Sequence, residues 1–165
     1  MPQAKGGAAG VRKGFTLIEL LIVIAVIVIL AAAVFVALNP AKRFADARNA
    51  RRQTDVQNIL NALKTDQVDN GGTYVASVAA LAAASNYVIG TNAAGCDSGC
   101  TAVATQAACA DLTALVTEGY LGSVPADPTS GAATFTDYYI TRNASGTITV
   151  GACDAENGSS IVVSR

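Results

Sequence analysis

The apolar positions of this chain are concentrated near its N-terminus. From Phe15 to Leu38 the sequence is apolar except for Thr16 and Glu19. As a helix at ~1.5 Å per residue, this segment would extend about 36 Å. The hydrocarbon core of a bilayer is about 30 Å thick, so the segment is long enough to span it with some tilt. We therefore predict a membrane-spanning helix over residues 15–38.

A second helical pattern follows Asn39-Pro40, where the proline predicts a kink or a local break. Four apolar residues then recur at helical spacing and form a single stripe: Val56, Ile59, Leu60 and Leu63. Residues 69–72, with the sequence DNGG, tolerate left-handed backbone and should end the helix. The pattern predicts an amphipathic continuation of the first helix over residues 39–72.

Shorter elements are predicted beyond residue 73. We predict short helices over 77–85 and 106–118, separated by a loop that includes residues 90–104. Three strand candidates separated by Asn- and Gly-containing turns then predict an antiparallel meander over 135–142, 147–152 and 160–164. The predicted fold class is α+β, with a long N-terminal helix packed on a small antiparallel sheet of about three strands.

Charge is sorted along the chain although the formal net charge is only −1. Basic residues dominate segments 1–14 and 42–52, whereas three basic and ten acidic residues follow from Gln53 onward. The distal domain is therefore not expected to bind nucleic acid. For the basic segment 42–52 two interpretations stay open. It is either a solvated face beside the membrane or a surface that meets the acidic distal domain of another copy.

All four cysteines lie C-terminal to the apolar segment: Cys96, Cys100, Cys109 and Cys153. If that segment carries the chain across a membrane, the cysteines enter an oxidising compartment and two disulfides are predicted. Three connectivities are open, among which we prefer Cys96–Cys100 with Cys109–Cys153. A zinc site is disfavoured because the cysteine spacing is poor for metal ligation and the chain has no histidine.

Other candidate chemistry is weak in this sequence. Four acidic residues could supply calcium ligands but match no ligand loop, so turn-forming roles are preferred: Asp127, Asp137, Asp154 and Glu156. We expect no metal and no other cofactor. Without histidine or a clustered carboxylate pair, the chain is not expected to be an enzyme. Glycosylation patterns at Asn143 and Asn157 receive little weight, since chance matches are common.

Glu19 raises the main functional question, because a charge at the bilayer centre costs roughly 2.5–3.5 kcal/mol on insertion scales. The stretch around it, RKGFTLIEL at residues 12–20, resembles the processing motif of type IV pilins and of the related type II secretion pseudopilins. Three further segments are similar to segments of these proteins: 39–59 (NPAKRFADARNARRQTDVQNI), 115–128 (LVTEGYLGSVPADP) and 149–165 (TVGACDAENGSSIVVSR).

The resemblance implies a specific maturation step. A prepilin peptidase would cleave after Gly14 on the cytoplasmic side, and the new N-terminus at Phe15 would be N-methylated. Glu19 would then pair with the N-terminal amine of a neighbouring subunit and set the axial register of the helices. Within one chain Glu19 lies roughly 6 Å from its own N-terminal nitrogen, so self-pairing before assembly is also open.

The resemblance also implies a domain organisation and a function. We expect a cleaved leader (1–14), a transmembrane and assembly helix (15–38), its amphipathic continuation (39–72) and a globular pilin head (73–165). The chain would be a type IV pilus subunit, first a single-pass protein of the inner membrane and then part of an extracellular homopolymer. Its partners would be further copies of itself, the membrane before assembly, the prepilin peptidase and the pilus assembly machinery.

Three alternatives stay open. The chain could be a pseudopilin of a type II secretion or competence system, or a membrane-anchored extracytoplasmic binding module. It could also carry an ordinary secretory signal cleaved near residues 31–33, which are all alanine. The signal peptide is disfavoured because the apolar run is longer than the 7–15 residues usual for such signals.

Overall fold

A computed structural model describes residues 14–96 and 99–165, and the chain divides into two compact units after Pro40. In the first unit, helix α1 spans Leu17–Leu38, 22 residues, and none of them is buried. The apolar segment is thus helical, as predicted. Apart from Gly14, the predicted leader lies outside the described residues.

Both ends of α1 follow from local chemistry. At its start, the side chain of Thr16 accepts a hydrogen bond from the backbone N–H of Glu19 at 3.2 Å, which caps the first turn. At its end, Asn39 is in the left-handed region (φ 41°, ψ 73°), a conformation that asparagine tolerates. Pro40 then opens the next helix, where its missing N–H costs nothing. The predicted break at Asn39-Pro40 is confirmed.

The second unit is an α+β domain. Its first element is helix α2 (Pro40–Asp69), which ends before two glycines with positive φ, Gly71 and Gly72. The remaining elements are α3 (Ala76–Ala79), β1 (Asn86–Ile89), β2 (Gln106–Ala110), α4 (Thr113–Thr117), β3 (Tyr138–Arg142), β4 (Ile148–Ala152) and β5 (Val162–Ser164). The predicted helix over 77–85 is therefore real but limited to its first turn.

The sheet has five strands in the order β2-β1-β3-β4-β5. The predicted meander corresponds to β3, β4 and β5, which pair antiparallel. β1 pairs antiparallel with β3 and parallel with β2, so the sheet is mixed and larger than the three strands expected. The prediction of a helix over 106–118 was wrong in its first half. Alanine-rich Gln106–Ala110 suits a helix by propensity, but pairing with β1 makes it a strand.

The core lies between α2 and the sheet. The predicted stripe on α2 is buried, and it shares one apolar cluster with residues of β1, β3 and β4: Val56, Ile59, Leu60, Leu63, Ile89, Tyr138, Ile140, Ile148 and Val150. A smaller cluster contains Val88, Tyr139, Cys96 and Cys153. There Gly151 is required, because a Cβ at this position would lie 2.5 Å from the ring of Tyr139.

The four cysteines form two disulfides, Cys96–Cys109 and Cys100–Cys153, with Cα–Cα distances of 5.0 and 4.5 Å. Our preferred pairing was therefore wrong. The reason is the unpredicted parallel pair: β2 runs beside β1, which brings Cys109 next to the loop that follows β1. The backbone N–H of Cys96 also donates to Ala107 at 2.8 Å. Together the bridges tie the loop after β1 to β2 and to the end of β4.

A buried arginine joins α2 to two distant loops. Arg52 has no exposed side-chain surface and donates to both carboxylate oxygens of Asp127, at 2.5 and 3.0 Å. It also donates to Asn49 at 3.0 Å, to Thr129 at 2.9 Å and to Glu156 at 2.7 Å. All three guanidinium nitrogens thus donate hydrogen bonds, and a buried charge is stable only when it is paired and hydrogen-bonded in this way.

The electrostatics agree with this geometry. Burial alone would raise the pKa of Asp127, but hydrogen bonds from Arg52 and Thr129 outweigh it and hold that pKa well below its usual value. Hydrogen bonds from Arg48 and then Arg52 lower the pKa of Glu156 to about 2. Neither interpretation of segment 42–52 fits these two arginines, because they neutralise carboxylates of their own head.

Asp127 and Asp137 occupy turns, as the sequence suggested. Asp127 Oδ1 accepts from the backbone N–H groups of Thr129 and Ser130 at 2.8 and 3.2 Å. Asp137 is buried with φ 63°, and its Oδ2 accepts from the hydroxyl of Ser130. Within residues 14–96 and 99–165, no group of three or more His, Cys, Asp or Glu residues is placed to hold a metal ion.

The Asp137 carboxyl is protonated more easily than an ordinary aspartate. Burial raises its pKa first; the hydroxyl of Ser130 opposes this, and the nearby carboxylates of Asp154 and Asp127 reinforce it, giving a pKa of about 6. Its buried Oδ1 has no hydrogen-bond partner among the described residues, which agrees with the disfavoured charged form. The native head therefore takes up a proton between the ordinary aspartate pKa of about 3.9 and about 6.

We expect Arg52→Met to destabilise the full chain in detergent by about 3–5 kcal/mol, because it leaves the buried Asp127 carboxylate without its partner. Chemical denaturation followed by circular dichroism measures this loss. Arg43→Met is the matched control, since Arg43 is exposed, and it should leave stability unchanged. A loss of less than about 1 kcal/mol in Arg52→Met would contradict a structural role for the buried cation.

A pH dependence follows from Asp137. Its folded-state pKa is raised, so its contribution to stability is complete below about pH 4 and is lost as the pH rises through about 6. The expected loss is on the order of 2–3 kcal/mol. Asp137→Asn removes this contribution, so its melting temperature should fall less than that of the unmodified chain between pH 4.5 and 7. If the melting temperatures of the two proteins fell equally between pH 4.5 and 7, a group other than Asp137 would be responsible for the pH dependence.

Candidate functional site

The candidate site is the start of α1, residues 14–19. Gly14 precedes the helix and is exposed, and a Cβ added there would meet no atom within 4 Å. Phe15 is 84% exposed. A side chain at position 14 would therefore contact none of the described residues apart from its neighbours in the chain.

Thr16 and Glu19 interact across the first turn of α1. The backbone N–H of Glu19 donates to Thr16 Oγ1 at 3.2 Å, and the Thr16 hydroxyl lies 3.5 Å from Glu19 Oε2. This places the carboxylate at the positive end of the helix dipole, one turn from the Phe15 nitrogen. No cation among the described residues pairs with Glu19. A positive charge at the Phe15 nitrogen would therefore be its natural partner.

The rest of α1 presents an uninterrupted apolar surface. All its residues are exposed, and the helix is long and apolar enough to cross a membrane. Large apolar side chains are exposed on every side of it, from Leu17 to Leu38. Water is a poor environment for so much apolar surface, so lipid or other helices must cover it.

The structure places the predicted residues in two groups. Gly14 and Phe15 come just before α1 and Glu19 lies in its first turn, whereas the four cysteines cross-link the head and are not part of this site. Sequence reasoning missed the buried role of Arg52. A signal was present, because Arg52 precedes Val56 by four residues and so extends the buried stripe of α2 by one turn.

Comparison with known proteins gives a family match at this segment. Residues 11–35 match the family model described as the prokaryotic N-terminal methylation motif. No curated protein and no solved structure matched the chain. The match includes Gly14, Phe15, Glu19 and most of α1. The chain thus carries a prepilin-type methylation motif at the start of an apolar helix of membrane length, as expected for the membrane-anchored precursor of a type IV pilin or pseudopilin.

Proposed function

We propose that this chain is a structural subunit of a type IV pilus and not an enzyme. A prepilin peptidase removes the leader after Gly14, Phe15 is N-methylated, and mature chains assemble into a helical filament at the cell surface. One observation supports this most strongly: a helix of 22 residues is apolar and exposed all round, and its first turn carries a single carboxylate.

Cleavage creates the positive partner that Glu19 lacks among the described residues. The precursor has a neutral peptide bond between Gly14 and Phe15, whereas the mature chain has a positively charged amine at Phe15. A buried carboxylate and a buried amine are each costly alone and tolerable when paired. Maturation therefore adds a positive charge just before α1, about one helical turn from the carboxylate of Glu19.

The pair also supplies the specificity that apolar contacts lack. Lipid chains are as apolar as leucine, so helices that leave the membrane for the filament gain little from hydrophobic burial. Apolar surfaces that are uniform along the helix do not define how far one helix is shifted relative to the next. An ion pair between Glu19 of one copy and the Phe15 amine of another defines that shift, because any other register separates the charges.

Two other functions share parts of this description. A pseudopilin would carry the same N-terminal motif but would form a short periplasmic fibre. An anchored binding module would remain monomeric with its leader in place. Long filaments sheared from cells and composed mainly of this chain support the pilin. Chains that stay in the membrane as uncleaved monomers support the module.

We expect Glu19→Val to be processed normally but to lower the amount of sheared filament at least tenfold. The substitution leaves the Phe15 amine unpaired in an apolar environment, which costs about 3–5 kcal/mol. Immunoblots of sheared and cell-bound fractions measure the change. Ile22→Val, an apolar change one turn further along α1, is the control and should assemble normally. A normal filament yield in Glu19→Val would contradict the ion pair.

We expect Gly14→Leu to block cleavage, because a bulky side chain replaces the open backbone at the cleavage position. The chain should stay in the membrane with the mass of the full precursor, and intact-mass spectrometry of the membrane fraction measures this. Gly122→Leu is the matched control, since Gly122 in the head also has no neighbour within 4 Å. If Gly14→Leu were still cleaved to give an N-terminus at residue 15, Gly14 would not be required for cleavage.

A further inference from the structure

Helix α2 exposes one large apolar side chain near each of its ends. Phe44, near the start, is 65% exposed, and Val68, near the end, is 78% exposed. Neither belongs to the apolar clusters of the head. Each lies beside an exposed charge, Arg43 before Phe44 and Asp69 after Val68. Each end of α2 therefore exposes a large apolar side chain next to a charged one, and the charge is positive at the start and negative at the end.

The acidic end contains more than one carboxylate. Asp69 Oδ2 accepts from the hydroxyl of Tyr120 at 3.2 Å, and Glu118 is exposed two residues before that tyrosine. Burial raises the pKa of the Tyr120 hydroxyl first, and its hydrogen bond to Asp69 and the charges of Asp69, Asp66 and Glu118 raise it further. Asp69, next to Val68 in the chain, and Glu118 are thus two exposed carboxylates near Tyr120 at the end of α2.

The basic end keeps an available cation at Arg43. Arg48 and Arg52 are already held by Glu156 and Asp127 of the same chain. Arg43 is exposed and has no hydrogen bond or ion pair with any other described residue. The nearby Asp46 accepts from the side chain of Asn157 at 2.9 Å. Arg43 and Phe44 together thus form a small basic and apolar surface.

We propose that the Arg43 and Phe44 surface of one copy contacts the Val68 and Asp69 surface of a second copy, displaced along α2. The contact rests on the proposed filament and specifies how neighbouring heads meet. Phe44 and Val68 are 24 positions apart in one helix, about 36 Å along its axis. The copy in this contact is therefore shifted by roughly that distance, and it is a different neighbour from the one whose Phe15 amine pairs with Glu19.

The chemistry of the two surfaces favours a second copy as the occupant. Phe44 covers Val68 while Arg43 faces Asp69 and Glu118, so apolar and charged groups are matched at the same time. Because the surfaces on one copy differ, the contact is head-to-tail and leaves both outer ends free. Such contacts extend into open helical assemblies rather than closed dimers.

A charge swap tests the electrostatic part of this contact. Arg43→Glu and Asp69→Arg should each lower the amount of sheared filament about fivefold, as expected for the loss of roughly 1 kcal/mol per contact. The double variant should recover most of the original yield. Arg165→Glu makes the same charge change at an exposed residue that lies beside the middle of α2 rather than at either of its ends, and it should assemble normally. Failure of the double variant to recover filament would overturn the pairing and would fit a contact of Arg43 with anionic lipid instead.

A cysteine pair tests the position of the neighbour directly. Phe44→Cys combined with Val68→Cys cannot form a disulfide within one chain, because bridged Cα atoms lie within about 7 Å. Oxidised filaments of this variant should give a ladder of covalent multimers in non-reducing gels. Gln57→Cys with Val68→Cys, which corresponds to a much smaller shift, should give none. Filaments without a ladder from the first pair would overturn this contact alone, whereas a wild-type chain that forms no filament would overturn the proposed function as well.

Discussion

The apolar surface of α1 is the constraint on which the rest of the molecule depends. A helix of 22 residues without one buried side chain is stable only where lipid or other helices surround it. That same surface makes Glu19 costly, since an acid in an apolar environment needs a positive partner. Residues 11–35 match the prokaryotic N-terminal methylation motif, and in the function proposed above cleavage after Gly14 makes that partner. The proposed membrane anchoring, maturation and assembly would all depend on this one segment.

The head is stabilised by different means. It has few aromatic residues and a core limited to one face of α2 and one face of a five-stranded sheet. Two disulfides hold the loop after β1, and the buried Arg52 connects α2 to the loops that carry Asp127 and Glu156. These cross-links fix loops that such a small core cannot hold by packing alone. Of the basic segment after α1, Arg48 and Arg52 are held in ion pairs within the head.

The sequence predicted the elements that depend on local pattern. The apolar run gave α1, the stripe at Val56 to Leu63 gave the buried face of α2, and alternation with clear turns gave the last three strands. The β1–β2 pair was missed because parallel pairing depends on contacts distant in sequence, and the disulfide partners were missed with it. Arg52 was assigned to a surface because charged residues are rarely buried. The partner proposed for Glu19 is an amine that the precursor does not contain, so neither sequence nor structure displays the pair itself.

The N-terminus of the chain in its assembled form tests the central claim most directly. Filaments sheared from cells and analysed by intact mass and N-terminal fragmentation should consist of a chain that begins at N-methylated Phe15. That result would place a charged amine one helical turn from Glu19. A chain that retains Met1, or one that begins beyond Ala33, would have no such amine and would contradict the account.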